Sequence, residues 1–161
     1  KFLKDDLPLF YNIISDLFPG ISKPEVDYGS LHTQCIACAK EQGQQPVEWF
    51  ILKCFQLFDM IQVRHGMMTV GPTGGGKTAM NRVLQAACSS LKPKEKDFDS
   101  KFQTVHTHIL NPKSITQAQI YGAFDEVTHE WQDGIGSEQI RIAVKDKANP
   151  DHHWIIFDGP V

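Results

Sequence analysis

Apolar positions along the chain fall first into helical periods and only later into strand-like runs, which predicts a helical first part and a mixed second part. Leu9, Phe10, Ile13, Ile14 and Leu17 recur at helical spacing after Pro8, a favourable first-turn residue, and Phe18-Pro19-Gly20 ends that helix. Ile21 to Gly29 is turn-rich around Pro24, and Leu31 to Lys40 resumes a short helix stopped near Gly43. A longer helix is predicted from about Pro46 to Gln62, with Val47, Phe50, Ile51, Cys54, Leu57, Phe58 and Ile61 as its core stripe.

Beyond Arg64-His65-Gly66 the short apolar run Met67 to Val70 reads as a first strand, and Met80, Val83, Leu84, Ala87, Cys88 and Leu91 mark one face of a following helix. Lys92 to Ser100 is a charged surface connection containing Pro93. Phe102 to Leu110 reads as a second strand, broken by Asn111-Pro112-Lys113. Ser114 with Gln117, or Thr116 with Gln119, then offers a capping box for a helix reaching about Phe124. From Asp125 to Gly136 the pattern lapses into turn signals around Trp131 and Asp133-Gly134; Trp131 suits either a contact surface or a fold back onto its own core. A helix from about Ser137 to Lys147 carries Ile140, Ala143 and Val144. Trp154-Ile155-Ile156-Phe157 is continuous and apolar, as expected of a strand buried on both faces of a parallel sheet.

Gly71-Pro72-Thr73-Gly74-Gly75-Gly76-Lys77-Thr78, between the first strand and its helix, satisfies GxxxxGK[ST] at every fixed position. Gly71, Gly74, Gly75 and Gly76 let the backbone curl around an anion and aim N–H groups, backed by the helix N-terminus, at the phosphates of ATP or ADP. Lys77 would neutralise those phosphates. Thr78 would place its hydroxyl on Mg²⁺, a cation that takes oxygen ligands and keeps several waters. Asp158 closes the last strand at its carboxyl end, where α/β folds bind ligands, and would hold the same Mg²⁺ through water. Ring-forming ATPases of the AAA+ class usually follow that Asp with a Glu that aligns the attacking water. Gly159 stands there instead, and loss of a positioned base costs roughly 10²–10⁴ in rate, so ATP is expected to be held without appreciable turnover.

With 161 residues, one compact domain is expected to bury roughly two thirds of its unfolded surface. The net charge is −3, and the densest basic cluster, Lys92, Lys94 and Lys96, is interleaved with Glu95 and Asp97, so nucleic acid is not an expected partner. No apolar run approaches the roughly 20 residues of a membrane span, and no signal pattern opens the chain, so a soluble intracellular protein with no membrane partner is expected. Its 4 cysteines are then buried thiols, and Cys35-Ile36-Ala37-Cys38 is read as core packing rather than half a metal site. His106 and His108 share a strand face but lack a third ligand.

Taken together, these residues resemble the dynein heavy-chain motor, and within it the second of six AAA+ modules. The resemblance rests on the stretch Asp16 to Gly20, then Arg64 to Gly66 before the phosphate loop, Asn111-Pro112-Lys113-Ser114-Ile115-Thr116, Tyr121-Gly122, Glu130-Trp131-Gln132-Asp133-Gly134 and Phe157-Asp158-Gly159-Pro160-Val161. It covers nearly the whole chain, and the wording of Asn111 to Ile115 and of Phe157 to Val161 is more similar to axonemal than to cytoplasmic dyneins. It implies an α/β P-loop NTPase of AAA+ type, a three-layer α/β/α fold on a parallel sheet, with helices over 1–65 and a P-loop core over 66–161 running through the Walker B strand. It further implies that Leu17, Phe18 and Pro19 sit near the adenine, that Gly159 matches the module's missing base, and that residues 125–134 face the swinging linker. The implied setting is an ATP-driven, minus-end microtubule motor in cilia or flagella, with the cytoplasm as the alternative. Its partners would be the neighbouring modules and linker of the same heavy chain, microtubules, and dynein intermediate and light chains.

AAA+ sheets resemble the order 5-1-4-3-2, and the sequence supplies only the first, second and third strands. A fragment of a very long polypeptide, not expected to fold stably alone, follows from that count. A free-standing P-loop kinase or active ATPase is the main alternative, opposed by Gly159 and the strand count; a scaffold with an empty site is opposed by the intact Lys77 and Thr78.

Overall fold

A computed structural model describes residues 3–21, 27–95 and 97–159. Pro24 of the predicted loop, Lys96 of the basic cluster and the terminal Pro160-Val161 lie outside the described residues.

Three helices build the core: α2 (Gly29–Glu41), α3 (Glu48–Val63) and α4 (Lys77–Ser90). Leu31 of α2, Phe50, Ile51 and Phe58 of α3, and Val83 and Leu84 of α4 meet in one buried cluster. All four cysteines are free and buried within it, so the packing reading of Cys35 and Cys38 holds. α2 stops where expected: Gly43 adopts φ +71, and the Gly43 and Gln44 N–H groups bond back to the Lys40 and Ala39 carbonyls at 3.0 and 2.8 Å. That left-handed closing turn favours glycine because a Cβ there is strained. The Tyr28 hydroxyl donates to Asp59 at 2.7 Å, joining the start of α2 to α3, and the carboxylate pushes the phenol up to about 12.

Against this core lies a two-stranded parallel sheet of β1 (Val105–Leu110) and β4 (His152–Phe157), in register from Val105↔His152 to Leu110↔Phe157. Val105 is buried on α4, its N–H accepted by Ser89 Oγ at 3.0 Å and its carbonyl bonded by Gln85 Nε2 at 2.9 Å. Trp154 packs on the same core, and Phe58 stacks on Phe102 at 5.5 Å. Successive strand residues point to opposite faces, so His106, His108 and His153 stack together on the other one, with centroids 5.2 and 5.6 Å apart. β4 was expected to be buried on both faces; its pairing is parallel as expected, but the sheet has two strands and Phe157 is exposed.

Met67 to Val70, the expected first strand, is not in a sheet. Among the described residues no strand lies beside it, so its peptide groups find no ladder, and Met68 and Val70 are 73% and 83% exposed. α1 (Leu7–Leu17) forms with Pro8 in its first turn, yet no residue of α1 is buried, so its apolar stripe is not core.

The predicted helix up to Phe124 is corrected to five residues, α5 (Gln117–Tyr121). Thr116 and Gln119 supply its capping box, with bonds of 3.2 and 2.9 Å, which settles the register between the two candidate boxes. Gly122 at φ +113 then turns the chain into β2 (Gly122–Phe124), which pairs antiparallel with β3 (Trp131–Asp133) before α6 (Ile135–Lys145). The Asp125 carboxylate caps the hairpin turn by accepting from the Val127 and Thr128 N–H groups at 2.8 Å each, which holds it below the usual carboxylate range. Trp131 is half exposed, edge-on to Phe124 at 5.1 Å, and its indole N–H donates to Asp133 at 2.7 Å. It therefore sits on the hairpin and not in the core.

Candidate functional site

The phosphate loop runs from Gly71 to Thr78 into the N-terminus of α4. Gly74 and Gly76 take φ +78 and +80, the left-handed region the curl requires. Gly75 N–H donates to the Pro72 carbonyl at 3.1 Å, and a Cβ on Gly75 would stand 3.0 Å from that oxygen. Gly76 caps α4 and carries no side-chain oxygen, so the first-turn N–H groups and the positive end of the helix dipole face the loop without a competing side-chain acceptor. The Lys77 ammonium spans the loop, donating to the Gly71 and Pro72 carbonyls at 2.8 Å each. The ammonium is thus held on two backbone carbonyls at the mouth of the loop, beside the helix N-terminus, a place from which a compact cation can serve a polyphosphate.

Thr78 Oγ1 donates to Asp158 Oδ2 at 3.3 Å. Asp158 gets there because the parallel ladder continues past Phe157: its N–H bonds to the Leu110 carbonyl at 2.9 Å. A hydroxyl and a carboxylate at one point beside a phosphate loop are hard oxygen donors, which fits Mg²⁺. The two halves of the expected site therefore meet through side chains, although the loop-bearing segment and β4 are not paired. Leu17, Phe18 and Pro19 close α1 at the surface, and among the described residues no hydrogen bond or ring contact joins them to the loop.

Two neighbours escaped sequence reasoning. Phe50 of α3 lies under the loop, with its ring edge 3.6 Å from where a Gly76 Cβ would be, so the core buttresses the helix start. Asn111, next to the strand-ending Pro112, reaches over Gly159. The signals for Asn111 were its place at the end of a predicted strand and in the Asn111 to Thr116 stretch of the resemblance, and neither placed it beside Gly159.

His106 and His108 share a face as predicted. His106 Nε2 pairs with Asp151 at 2.9 Å, and His108 Nε2 with His153 Nδ1 at 3.3 Å. Among the described residues no set of three His, Cys, Asp or Glu side chains has the geometry to hold a metal.

Residues 1–78 match the family model described as the hydrolytic ATP binding site of dynein motor region. Over all 161 residues the chain is 47% identical to dynein axonemal heavy chain 1 of Mus musculus and of Homo sapiens. Over 156 residues, 97% of the chain, it is 44% identical to the dynein-1-beta heavy chain of the flagellar inner arm I1 complex of Chlamydomonas reinhardtii. It spans 4% of the two mammalian proteins and 3% of the algal one. An intact phosphate loop joined to Asp158 and this identity along its whole length agree: the chain belongs to the dynein heavy-chain family, within the AAA+ motor region.

Proposed function

We propose that the chain is a nucleotide-holding part of an axonemal dynein heavy chain, the second AAA+ module of an ATP-driven, minus-end microtubule motor in cilia or flagella. The observation that carries this reading is the Thr78–Asp158 contact with Gly159 immediately after it. Backbone N–H groups of the loop and the Lys77 charge hold the β- and γ-phosphates of ATP, or the phosphates of ADP. Thr78 and Asp158 would hold Mg²⁺ between them. Bound there, the cation would neutralise phosphate charge. Leu17, Phe18 and Pro19 lie by the adenine once α1 is covered by the rest of the ring. No side chain at 159 can take a proton from an attacking water, so the site regulates or braces the ring instead of driving it.

In this reading residues 1–65 are the module's N-terminal helices and 66–161 its core through Walker B, part of a three-layer α/β/α unit completed by other strands. The hairpin of β2 and β3 presents Trp131 to the linker. Neighbouring modules, microtubules, and intermediate and light chains are the partners. The matched family description speaks of a hydrolytic site, which favours a second reading, an active ATPase. That match ends at Thr78 and so does not include Asp158 and Gly159.

The test is a whole motor with hydrolysis disabled in its other modules, purified without added nucleotide, denatured, and analysed for what it releases. Retained ATP that is lost on Lys77→Ala supports the clamp. ADP renewed over successive turnovers supports the active enzyme, and an empty site overturns both.

A further inference from the structure

Gly159 does not adopt a left-handed φ, so its backbone conformation does not demand glycine. Its neighbour does. A Cβ at 159 would stand 2.9 Å from Asn111 Oδ1, with Pro112 Cδ at 3.5 Å and Asn111 Cγ at 3.6 Å. Real side chains do not approach a Cβ as closely as that oxygen would.

Nor is Asn111 free to yield. Its Oδ1 accepts the Lys113 N–H at 3.0 Å, an Asx turn, and its own carbonyl accepts the Ser114 N–H at 3.1 Å and the Ser114 hydroxyl at 2.9 Å. The parallel register brings the two strand ends together: Leu110 pairs with Phe157, and the Asp158 N–H closes on the Leu110 carbonyl at 2.9 Å, so Gly159 follows directly beside the Asn111 turn. The strand end that carries the Mg²⁺-side carboxylate is thus braced against this turn.

We infer that Asn111 is a positioning residue that fills the space beside Gly159, so that no side chain can be seated at 159 while the Asn111 turn is intact. The inference rests on the reading that position 159 lacks the base, and it adds that the lack belongs to a pair of residues. A glutamate introduced at 159 must first rotate Asn111 out of its turn and release the Lys113 N–H.

Amide exchange over residues 111–114 of the whole motor reads this without reference to nucleotide or turnover. Gly159→Ala is expected to speed exchange there by about fivefold, as when one backbone hydrogen bond opens. In an Asn111→Ala background, where the acceptor is already gone, the same change adds nothing; in Asn111→Asp, which keeps Oδ1, the increase returns. Unchanged exchange in Gly159→Ala, or equal increments in the parent and Asn111→Ala backgrounds, overturns the inference. So does ADP formation in a single turnover by Gly159→Glu alone where the parent motor forms none. An empty or hydrolysing parent site would instead sink the proposed function and leave the exchange result standing.

Discussion

Thr78 Oγ1 and Asp158 Oδ2 stand 3.3 Å apart although 80 positions separate them in the chain. The contact joins the first turn of α4 to the end of β4, and each element is fixed by different packing: α4 by its buried Val83 and Leu84, β4 by its ladder with β1. Nucleotide that needs Mg²⁺ therefore tests both elements at once. Thr78→Ala and Asp158→Asn are each expected to lower Mg²⁺-dependent retention of nucleotide by about 10–100-fold. Thr78→Ser, which keeps the hydroxyl, should stay close to the parent. Dissociation of a fluorescent ATP analogue with and without chelator measures this; equal loss in Ser and Ala variants would mean the hydroxyl is not a ligand.

The left-handed glycines of the loop predict a second effect. Gly76→Ala keeps the loop's charge and donors but forces a side chain into φ +80, where the left-handed region costs roughly 1–2 kcal/mol. The new Cβ would also lie 3.6 Å from the Phe50 ring, an ordinary contact, so strain and not collision sets the loss. About tenfold weaker nucleotide binding is expected, with α4 intact by circular dichroism.

A third prediction concerns the hairpin, where collision does decide. A Cβ on Gly134 would stand 2.3 Å from the Ile120 carbonyl carbon and 2.4 Å from its oxygen, and this is backbone that cannot swing aside. Gly134→Ala should destabilise the α5–β2–β3 unit by about 2–3 kcal/mol. Gly66→Ala, with nothing within 4 Å and no left-handed φ, should cost less than about 0.5 kcal/mol. Amide exchange over 117–134 distinguishes them; equal protection in both variants would refute the close approach.

These sites differ in how far the sequence revealed them. The phosphate loop was legible because glycine, lysine and threonine carry their chemistry in their identity and order. Long helices were legible from period, down to the glycine stop at Gly43. Met67 to Val70 was not, because a strand is a pairing as well as a composition, and among the described residues no strand pairs with it. The β2–β3 hairpin was hidden for the opposite reason: its strands, Gly122–Phe124 and Trp131–Asp133, are three residues each, too short to show alternation. Helical spacing also could not say whether a stripe is buried, and α1 shows that it need not be. Asn111 was legible only in the fold, since its significance lies in a residue 48 positions away that happens to be glycine.

Acid should loosen the β1–β4 pair, in two stages. Burial holds the His152 imidazole below its ordinary value of 6.5, with the Asp151 charge opposing and His153 reinforcing the shift. The hydrogen bond from His106 holds Asp151 below its ordinary 3.8. In both cases the folded state binds fewer protons than the unfolded one, so each contribution is present above the ordinary value and is lost as pH falls through the depressed one. Protection of amides in 105–110 and 152–157, corrected for intrinsic exchange, is expected to decline first below pH 6.5 and again below pH 3.8. His152→Gln should abolish the first decline and spare the second. His106→Gln, which removes the largest of the interactions that hold Asp151 down, the others being the Thr104 hydroxyl and the Lys92 charge, should weaken the second while leaving the first. Protection that rises on acidification would reverse the sign of both assignments.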